Sequence, residues 1–133
     1  GLGFAQFRSD RHTCVLDGDG AFLMHLGNVA SIGAKRPQRF LHILLRNDAH
    51  ESTGSQALSA KPESWAAVAQ ALGYQHTLIT RNYETFKAQL PGLFQREGPV
   101  LVEAHIPEGT LDGLPRPTGT PADWLQMFWN QLS

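Results

Sequence analysis

Short, almost entirely apolar runs alternate with segments of helical spacing along the whole chain, and this alternation restricts the fold more than any other feature. A strand that is apolar on both faces must be covered on both, as the strands of a parallel sheet are. Helices between consecutive strands supply that cover and the crossover connections. The sequence therefore predicts an α/β fold with three layers, α/β/α, around a mainly parallel sheet. The predicted strands are residues 13–16, 40–45, 75–79 and 99–104.

The intervals between these strands carry helix signals, because apolar residues recur every three or four positions and capping residues mark several ends. Ser64 is typical of a helix N-cap and Gly73 of a helix stop. Pro91 is expected to interrupt its helix because proline lacks a backbone N–H. The predicted helices span residues 20–37, 64–72, 82–94 and 121–131, and the predicted loops span 49–62 and 109–120.

Composition and charge exclude several classes of protein. At 133 residues, with 41% apolar and 17% charged residues, the chain is long enough for one globular domain. The formal net charge is −1 and the basic residues form no stripe, which argues against nucleic acid as a partner. No apolar run reaches the roughly 18 residues of a membrane span, and the first residues lack the features of a signal peptide. A cytoplasmic location without a membrane partner is therefore expected.

A glycine-bracketed acidic motif, Gly18-Asp19-Gly20-Ala21, follows the first predicted strand. Glycines allow a close backbone approach, and the start of the following helix offers N–H groups to phosphate oxygens. A carboxylate beside a phosphate requires a cation between them, and Mg²⁺ prefers such oxygen ligands. Two other interpretations stay open for the motif alone. It is also typical of a surface turn, and it matches part of a dinucleotide fingerprint, although Leu23 replaces the third glycine.

A second polar element, Asn47-Asp48, follows the next predicted strand, a little under thirty residues after Asp19. Alone, it would be interpreted as the start of a loop or as a helix cap. One crossover helix separates the two motifs, so in a parallel sheet their strand ends can be neighbours. The amide oxygen of Asn47 and the carboxylate of Asp19, if they converge on one point, form a hard-oxygen site suited to Mg²⁺.

The combination over residues 13–50 resembles the cofactor signature of thiamine diphosphate enzymes, in which Gly-Asp-Gly is followed by Asn after an apolar strand. The resemblance implies the thiamine diphosphate-binding fold, with thiamine diphosphate and Mg²⁺ as cofactors. It also implies that the side chains of Asp19 and Asn47 and the backbone carbonyl of Ala49 coordinate Mg²⁺. The cofactor-binding residues that it implies are Gly18, Gly20, Ala21, Asn47, Ala49, Ser52 and Thr53.

A narrower resemblance, to the phosphonopyruvate and sulfopyruvate decarboxylases, extends over most of the chain. Two residues depart from the pattern of that group. Arg46 stands where an acidic or amide residue is usual, and Ser55 stands where a second glycine is usual. Because Arg46 precedes a proposed metal ligand, its charge would either weaken the site or point away from it and bind phosphate. The resemblance rests on residues 16–21, 26–28, 32–34, 50–54, 56, 72–74 and 113–118.

The resemblance implies a thiamine diphosphate-dependent carboxy-lyase that acts on a small anionic 2-oxo acid. It would convert phosphonopyruvate to phosphonoacetaldehyde and CO₂, or sulfopyruvate to sulfoacetaldehyde and CO₂. Residues 50–56 are the candidates to lie over the cofactor and the substrate, with His50 as the candidate acid/base group. An ordinary polar loop, in which Ser52 or Thr53 caps a turn, is the alternative interpretation.

The chain opens within what looks like an amphipathic helix, so we expect residues 1–133 to be a single diphosphate-binding domain, truncated at its N-terminus, of a longer polypeptide. The family resemblance implies that a glutamate on a separate pyrimidine-binding domain helps activate the cofactor, and no segment of the chain resembles that domain. It therefore implies a homo- or hetero-oligomer that is active only with such a domain. The alternatives are an acetolactate synthase-like carboligase and a non-catalytic cofactor-binding or assembly module.

Overall fold

The computed structural model describes residues 1–109, 113–115 and 117–132, and a parallel sheet lies at its centre. The strands are β1 (Thr13–Gly18), β2 (Phe40–Arg46), β3 (Ala49–His50), β4 (Gln56–Ala57), β5 (His76–Thr80) and β6 (Val100–His105). The helices are α1 (Leu2–Phe7), α2 (Asp19–Met24), α3 (Leu26–Lys35), α4 (Trp65–Ala71), α5 (Tyr83–Leu93) and α6 (Pro121–Asn130).

The main sheet of the described residues has the strand order β1-β2-β6-β5, and every neighbouring pair is parallel. In the β1–β2 register Gly18 lies opposite Leu45, so the two strands end side by side. This arrangement confirms the predicted α/β fold and its parallel sheet. It also brings the segments that follow β1 and β2 to the same edge.

Two apolar clusters cover the two faces of this sheet. The first lies between the sheet and helices α2, α3 and α4, and its largest fully buried side chains are Trp65 and Phe22. The second lies between the sheet and α5, where Leu93 packs against residues of β2 and β6. Because consecutive residues of a strand point to opposite faces, β2 contributes to both clusters. These clusters account for the predicted three-layer arrangement.

The prediction of one continuous helix between Gly20 and Pro37 is wrong. Helix α2 begins one residue earlier, at Asp19, and His25 separates it from α3. His25 has φ −119° and ψ 32°, outside helical values, and its N–H donates to the carbonyl oxygen of Ala21 at 3.1 Å. Both helices bury apolar side chains in the same cluster, so apolar spacing continues across the break and conceals it.

The predicted interruption at Pro91 is also wrong, because α5 continues through this residue to Leu93. Pro91 lies in the last turn of the helix, where the missing N–H removes only one helical hydrogen bond. The predicted ends of α4 are confirmed. The Ser64 hydroxyl accepts a hydrogen bond from the N–H of Ala67, and Gly73 adopts a positive φ of 105° just after the helix.

Strand β1 is less buried than predicted. Its residues alternate between the core and the surface, and the side chains of Cys14 and Leu16 are exposed. The reason is its position, because β1 is an edge strand of the sheet that the described residues form. The most buried strands of that sheet are the central ones, β2 and β6, each with a single residue that is only partly buried.

The predicted loop over residues 49–62 contains a short antiparallel hairpin. Strands β3 and β4 pair in it. The connection between them consists of a single 3₁₀ turn, Glu51–Thr53, followed by Gly54 and Ser55. Ser55, where the resemblance led us to expect glycine, has a φ of 58°, a left-handed conformation that favours glycine. The hairpin holds residues 50–56 beside the ends of β1 and β2.

The last helix begins at Pro121, as predicted. Thr120 and Asp123 form a reciprocal capping box at its N-terminus. Of the predicted loop 109–120, residues 110–112 and 116 lie outside the described residues, and with them part of the 113–118 motif. Within the described ranges, every helix is too short or too polar to cross a membrane.

Candidate functional site

A cavity of about 350 Å³ lies where β1 and β2 end. Gly18 is the last residue of β1, Asp19 begins α2, and Asn47 directly follows β2. The hairpin and the residue after β6 close the remaining sides. The residues that line the cavity are Gly18, Asp19, Gly20, Ala21, Met24, Leu45, Asn47, Ala49, His50, Glu51, Ser52 and Ile106. The structure therefore brings together both motifs that the sequence singled out.

The carboxylate of Asp19 is buried, since the residue is only 1% exposed, and hydrogen bonds hold it in a fixed orientation. Its Oδ2 atom accepts hydrogen bonds from the backbone N–H of Asn47 at 3.1 Å and of Asp48 at 2.6 Å. In the described part of the chain, the other oxygen, Oδ1, accepts no hydrogen bond. A buried carboxylate that has one oxygen in hydrogen bonds and the other without a partner is suited to act as a ligand to a cation.

Asn47 is fixed by its own neighbours. Its Oδ1 accepts a hydrogen bond from the N–H of Ala49 at 3.2 Å, and its Nδ2 donates to Oε2 of Glu51 at 2.7 Å. The other oxygen of Glu51 accepts a hydrogen bond from the N–H of Gly109, in the segment after β6. Glu51 thus links the amide of Asn47 to the segment that follows β6. The sequence reasoning missed this role, although Glu51 lies inside the His50–Gln56 stretch that it singled out.

His50 lies directly over the start of α2. A Cβ atom added to Gly20 would lie 2.5 Å from the Nδ1 atom of His50, so only glycine leaves room for the ring. Ser52 lines the cavity beside it. Thr53 lies outside the lining that the described residues form. The one proton of its hydroxyl is within reach of two acceptors, the carbonyl of His50 at 3.3 Å and the side-chain oxygen of Gln56 at 3.2 Å, so it stabilises the turn of the hairpin.

The acidic residues next to the two motifs point elsewhere. Asp17 lines a separate cavity of about 340 Å³ between the sheet and α3, with its carboxylate 3.4 Å from Nε2 of the buried His42. Asp48 accepts a hydrogen bond from Nε of Arg46 at 2.9 Å. Asp17 still belongs to β1, whereas Asp19 lies beyond the end of the strand as the first residue of α2, so the two carboxylates do not share a face.

Arg46, one of the two residues that depart from the expected pattern, lies outside the cavity lining that the described residues form. It is 8% exposed, and its Nη1 atom lies 2.7 Å from Oε1 of Glu103, which is completely buried. Burial by itself lowers the pKa of Arg46, but hydrogen bonds to Glu103 and Asp48 outweigh it and raise the pKa, so the residue stays charged. The charge is neutralised by these two partners, and Arg46 is not among the described residues that line the cavity.

The donor set around Asp19 indicates which cation fits. One carboxylate, one amide oxygen and one backbone carbonyl, from Asp19, Asn47 and Ala49, are hard oxygen ligands. Among residues 1–109, 113–115 and 117–132, no group of three or more His, Cys, Asp or Glu side chains could hold a metal ion. The oxygen ligands named above suit Mg²⁺ better than Zn²⁺, which prefers nitrogen and sulfur ligands.

Comparison with known proteins agrees with this geometry. Residues 1–104 match the family model "Thiamine pyrophosphate enzyme, C-terminal TPP binding domain"; thiamine pyrophosphate is another name for thiamine diphosphate. The matched range includes β1, β2, the hairpin and all residues that line the cavity except Ile106.

Two decarboxylases are similar in sequence to this chain over most of its length. Phosphonopyruvate decarboxylase of Streptomyces viridochromogenes is 38% identical over 128 residues, which cover 96% of this chain and 32% of the relative. Sulfopyruvate decarboxylase subunit beta of Methanothermobacter thermautotrophicus is 32% identical over 114 residues, which cover 84% of this chain and 57% of the relative. The chain therefore spans only about a third and just over half of these relatives.

A solved structure has the same fold. It is an X-ray structure from Mycobacterium smegmatis, provisionally assigned as a thiamin diphosphate-dependent enzyme, with a TM-score of 0.63 and 22% sequence identity. The match covers 80% of this chain and 20% of that one. At this identity the likeness concerns the fold alone. The family match nevertheless extends over the sheet and the cavity, and the chain belongs to the thiamine pyrophosphate enzymes as their C-terminal TPP-binding domain.

Proposed function

We propose that the cavity at the ends of β1 and β2 binds the diphosphate of thiamine diphosphate together with Mg²⁺. The side chains of Asp19 and Asn47 and the backbone carbonyl of Ala49 would coordinate the metal ion. The observation that carries this proposal is the orientation of Asp19, whose buried carboxylate has one oxygen held by two backbone N–H groups and the other available. Neutralisation of this carboxylate by a cation would offset the cost of its burial.

The remaining lining residues would hold the diphosphate and the substrate. Gly18, Gly20 and Ala21 surround the start of α2, where backbone N–H groups lack helical partners and can donate to phosphate oxygens. The same space is bordered by Ser52 and by Asn47 and Ala49, the two residues proposed above to coordinate the metal ion together with Asp19. Thr53 is proposed to act through the hairpin turn that it stabilises, because its hydroxyl contacts His50 and Gln56.

The reaction that we propose is the decarboxylation of a small anionic 2-oxo acid. Bound thiamine diphosphate supplies the electron sink for this chemistry. His50 borders the cavity with its ring against Gly20, and we assign to it the role of acid/base group. The names of the relatives support phosphonopyruvate, which would yield phosphonoacetaldehyde, or sulfopyruvate, which would yield sulfoacetaldehyde.

We further propose that the chain is a diphosphate-binding domain and that activity requires a pyrimidine-binding domain. The support is the coverage of the relatives, of which the chain spans 32% and 57%. The sulfopyruvate relative is named a beta subunit, which implies a partner subunit and an oligomer. The pyrimidine-binding domain is then placed either elsewhere on the same polypeptide or on a separate subunit. A cytoplasmic assembly without nucleic acid is part of this proposal.

Calorimetry tests the cofactor half of the proposal. The intact protein is titrated with thiamine diphosphate in the presence of Mg²⁺, as wild type and as Asp19→Ala and Asn47→Ala. Loss of a direct metal ligand is expected to exceed the roughly 10- to 100-fold effect of losing an outer-shell partner. Asp10→Ala is the matched control, because Asp10 forms an exposed ion pair with Arg8. Equal affinity of all four proteins would remove the metal assignment.

Product analysis tests the reaction half. The intact protein with both cofactors is given phosphonopyruvate, sulfopyruvate and pyruvate in separate reactions. An aldehyde and CO₂ from one of the first two acids is the expected result. An acetohydroxy acid or a hydroxyketone from pyruvate would instead identify an acetolactate synthase-like carboligase. Cofactor binding without turnover of any 2-oxo acid would identify a non-catalytic cofactor-binding or assembly module.

A further inference from the structure

Arg46 is the residue whose role neither the metal site nor the substrate explains. Its guanidinium is nearly buried, and each part of it has a partner. Nη1 donates to Glu103 at 2.7 Å and to the carbonyl of Glu63 at 3.2 Å, and Nη2 donates to the carbonyl of Pro62 at 3.0 Å. Nε donates to the carboxylate of Asp48 at 2.9 Å. A planar group held at this many points cannot rotate, which makes it a rigid support.

Glu103 anchors this support to the core. The residue is completely buried in β6, and its Oε2 atom accepts hydrogen bonds from the N–H of Ala66 at 2.8 Å and from the hydroxyl of Ser64 at 3.1 Å. The carboxylate is therefore fixed by the first turn of α4 as well as by Arg46. A buried ion pair of this kind adds little net stability compared with apolar residues of the same size. An effect on the backbone conformation of a neighbouring residue therefore explains the ion pair better than stability does.

Asp48 is that neighbouring residue. It has a φ of 61°, a left-handed conformation that non-glycine residues rarely adopt. Its side chain is bound by Arg46, and its backbone N–H donates to Oδ2 of Asp19 at 2.6 Å. The left-handed conformation therefore occurs at the residue whose N–H orients the buried carboxylate. Asp48 also follows Asn47 directly, whose backbone N–H donates to the same Oδ2 of Asp19 at 3.1 Å.

We propose that Arg46, anchored by Glu103, is a positioning residue that holds Asp48 in the left-handed conformation and thereby fixes Asp19 and Asn47 for Mg²⁺. The proposal rests on the Mg²⁺–thiamine diphosphate function described above. It assigns a role to the positive charge that departs from the family pattern. Arg46 lies outside the cavity lining that the described residues form, and it would act through Asp48.

Substitutions at position 48 separate conformation from charge. Asn tolerates the left-handed region and still accepts a hydrogen bond from Arg46, and Gly reaches a positive φ without a Cβ penalty. Ala does neither. With Mg²⁺ titrated into the intact protein at saturating thiamine diphosphate, Asp48→Ala is expected to weaken Mg²⁺ binding on the order of tenfold, the cost of a left-handed non-glycine residue. Asp48→Asn and Asp48→Gly should stay within about threefold of wild type.

Arg46→Lys tests the support itself. Lys keeps the charge opposite Glu103 but cannot form the fixed fork of hydrogen bonds, so Mg²⁺ binding should again weaken on the order of tenfold. In the Arg46→Lys/Asp48→Gly variant the loss relative to Asp48→Gly alone should shrink to about twofold or less, because a glycine at this position needs no support. If the role of Arg46 is purely structural, Arg46→Lys should lower the thermal midpoint by the same amount in wild type and in Asp48→Gly. It should also lower Mg²⁺ affinity by the same factor in both, and that result would refute the positioning role.

The outcomes distinguish this inference from the function on which it rests. If Asp19→Ala binds Mg²⁺ as wild type does, the metal site itself is refuted. If Asp19→Ala loses binding while Asp48→Ala, Asp48→Asn and Asp48→Gly bind Mg²⁺ equally, the metal site stands and the positioning role of Arg46 is refuted. Lower Mg²⁺ affinity for Asp48→Ala alone of these three, with recovery in the Arg46→Lys/Asp48→Gly double variant, supports both.

Discussion

The contact between α3 and α4 gives the sharpest test of the packing beneath the site. Gly33 of α3 lies against the end of α4 so closely that an added Cβ atom would lie 1.9 Å from the carbonyl oxygen of Leu72 and 3.1 Å from the Cα of Gly73. Both atoms belong to the backbone, so no side-chain rotation can relieve the overlap. Gly33→Ala therefore requires the two helices to separate by more than about 1 Å, since ordinary contacts lie near 3.5 Å.

The expected cost follows from this geometry. Overpacking of a well-packed core usually costs about 1–3 kcal/mol, and a backbone clash belongs at the upper end, near 3 kcal/mol. For a chain of this length each kcal/mol lowers the melting midpoint by about 3–5 °C, so Gly33→Ala should melt about 10–15 °C below wild type. Thermal unfolding followed by circular dichroism measures this difference directly.

Gly27 in the same helix is the matched control. A Cβ atom added there meets none of the described atoms within 4 Å, and the residue is exposed. Gly27→Ala should therefore leave the protein unchanged or stabilise it by up to about 1 kcal/mol, because alanine favours helix more than glycine does. Equal melting midpoints for Gly33→Ala and Gly27→Ala would refute the close contact between α3 and α4.

Two further predictions concern the site and its support. Gly20→Ala should displace the ring of His50 by about 1 Å, because the new Cβ would lie 2.5 Å from Nδ1. Turnover should then fall by up to about 100-fold, while the melting midpoint, measured in parallel, changes little because the ring can move; a rate near that of wild type would contradict the assignment of His50. Burial by itself raises the pKa of Glu103, but Ala66, Arg46 and Ser64 outweigh it and lower the pKa below the ordinary 4.5. Glu103 therefore stabilises the protein above pH 4.5, and this contribution is lost as pH falls through the lowered pKa. In denaturant titrations, the difference in unfolding free energy between wild type and Glu103→Gln should be constant near neutral pH and shrink below pH 4.5; a constant difference across that range would refute the lowered pKa.

The parts of the fold that were predicted correctly are those that local pattern determines. Apolar runs on both faces indicated a buried parallel sheet, and the capping residues Ser64, Gly73 and Pro121 gave reliable helix ends. The proximity of the two motifs was predicted because each follows a strand, and neighbouring parallel strands end at the same edge. That rule required only the order of the elements along the chain.

The errors arose where a distant contact or a backbone dihedral decides the structure. The break at His25 leaves the apolar spacing unchanged, so periodicity could not reveal it. The partners of Arg46 include Glu103, 57 residues away, and no local signal relates the two. Asp tolerates the left-handed conformation better than most non-glycine residues, but nothing in the local sequence shows that Asp48 or Ser55 adopts it. Glu51 became meaningful only when the structure brought it to Asn47.

The central claim is that one metal ion lies between the ends of β1 and β2, and anomalous scattering from Mn²⁺ tests it most directly. Crystals of the intact protein grown with thiamine diphosphate and Mn²⁺ in place of Mg²⁺ would be measured near the manganese edge. The account predicts one peak within about 2.0–2.3 Å of Oδ1 of Asp19, Oδ1 of Asn47 and the carbonyl oxygen of Ala49. A peak beside Asp17 and His42, or cofactor density with no peak near Asp19, would contradict it.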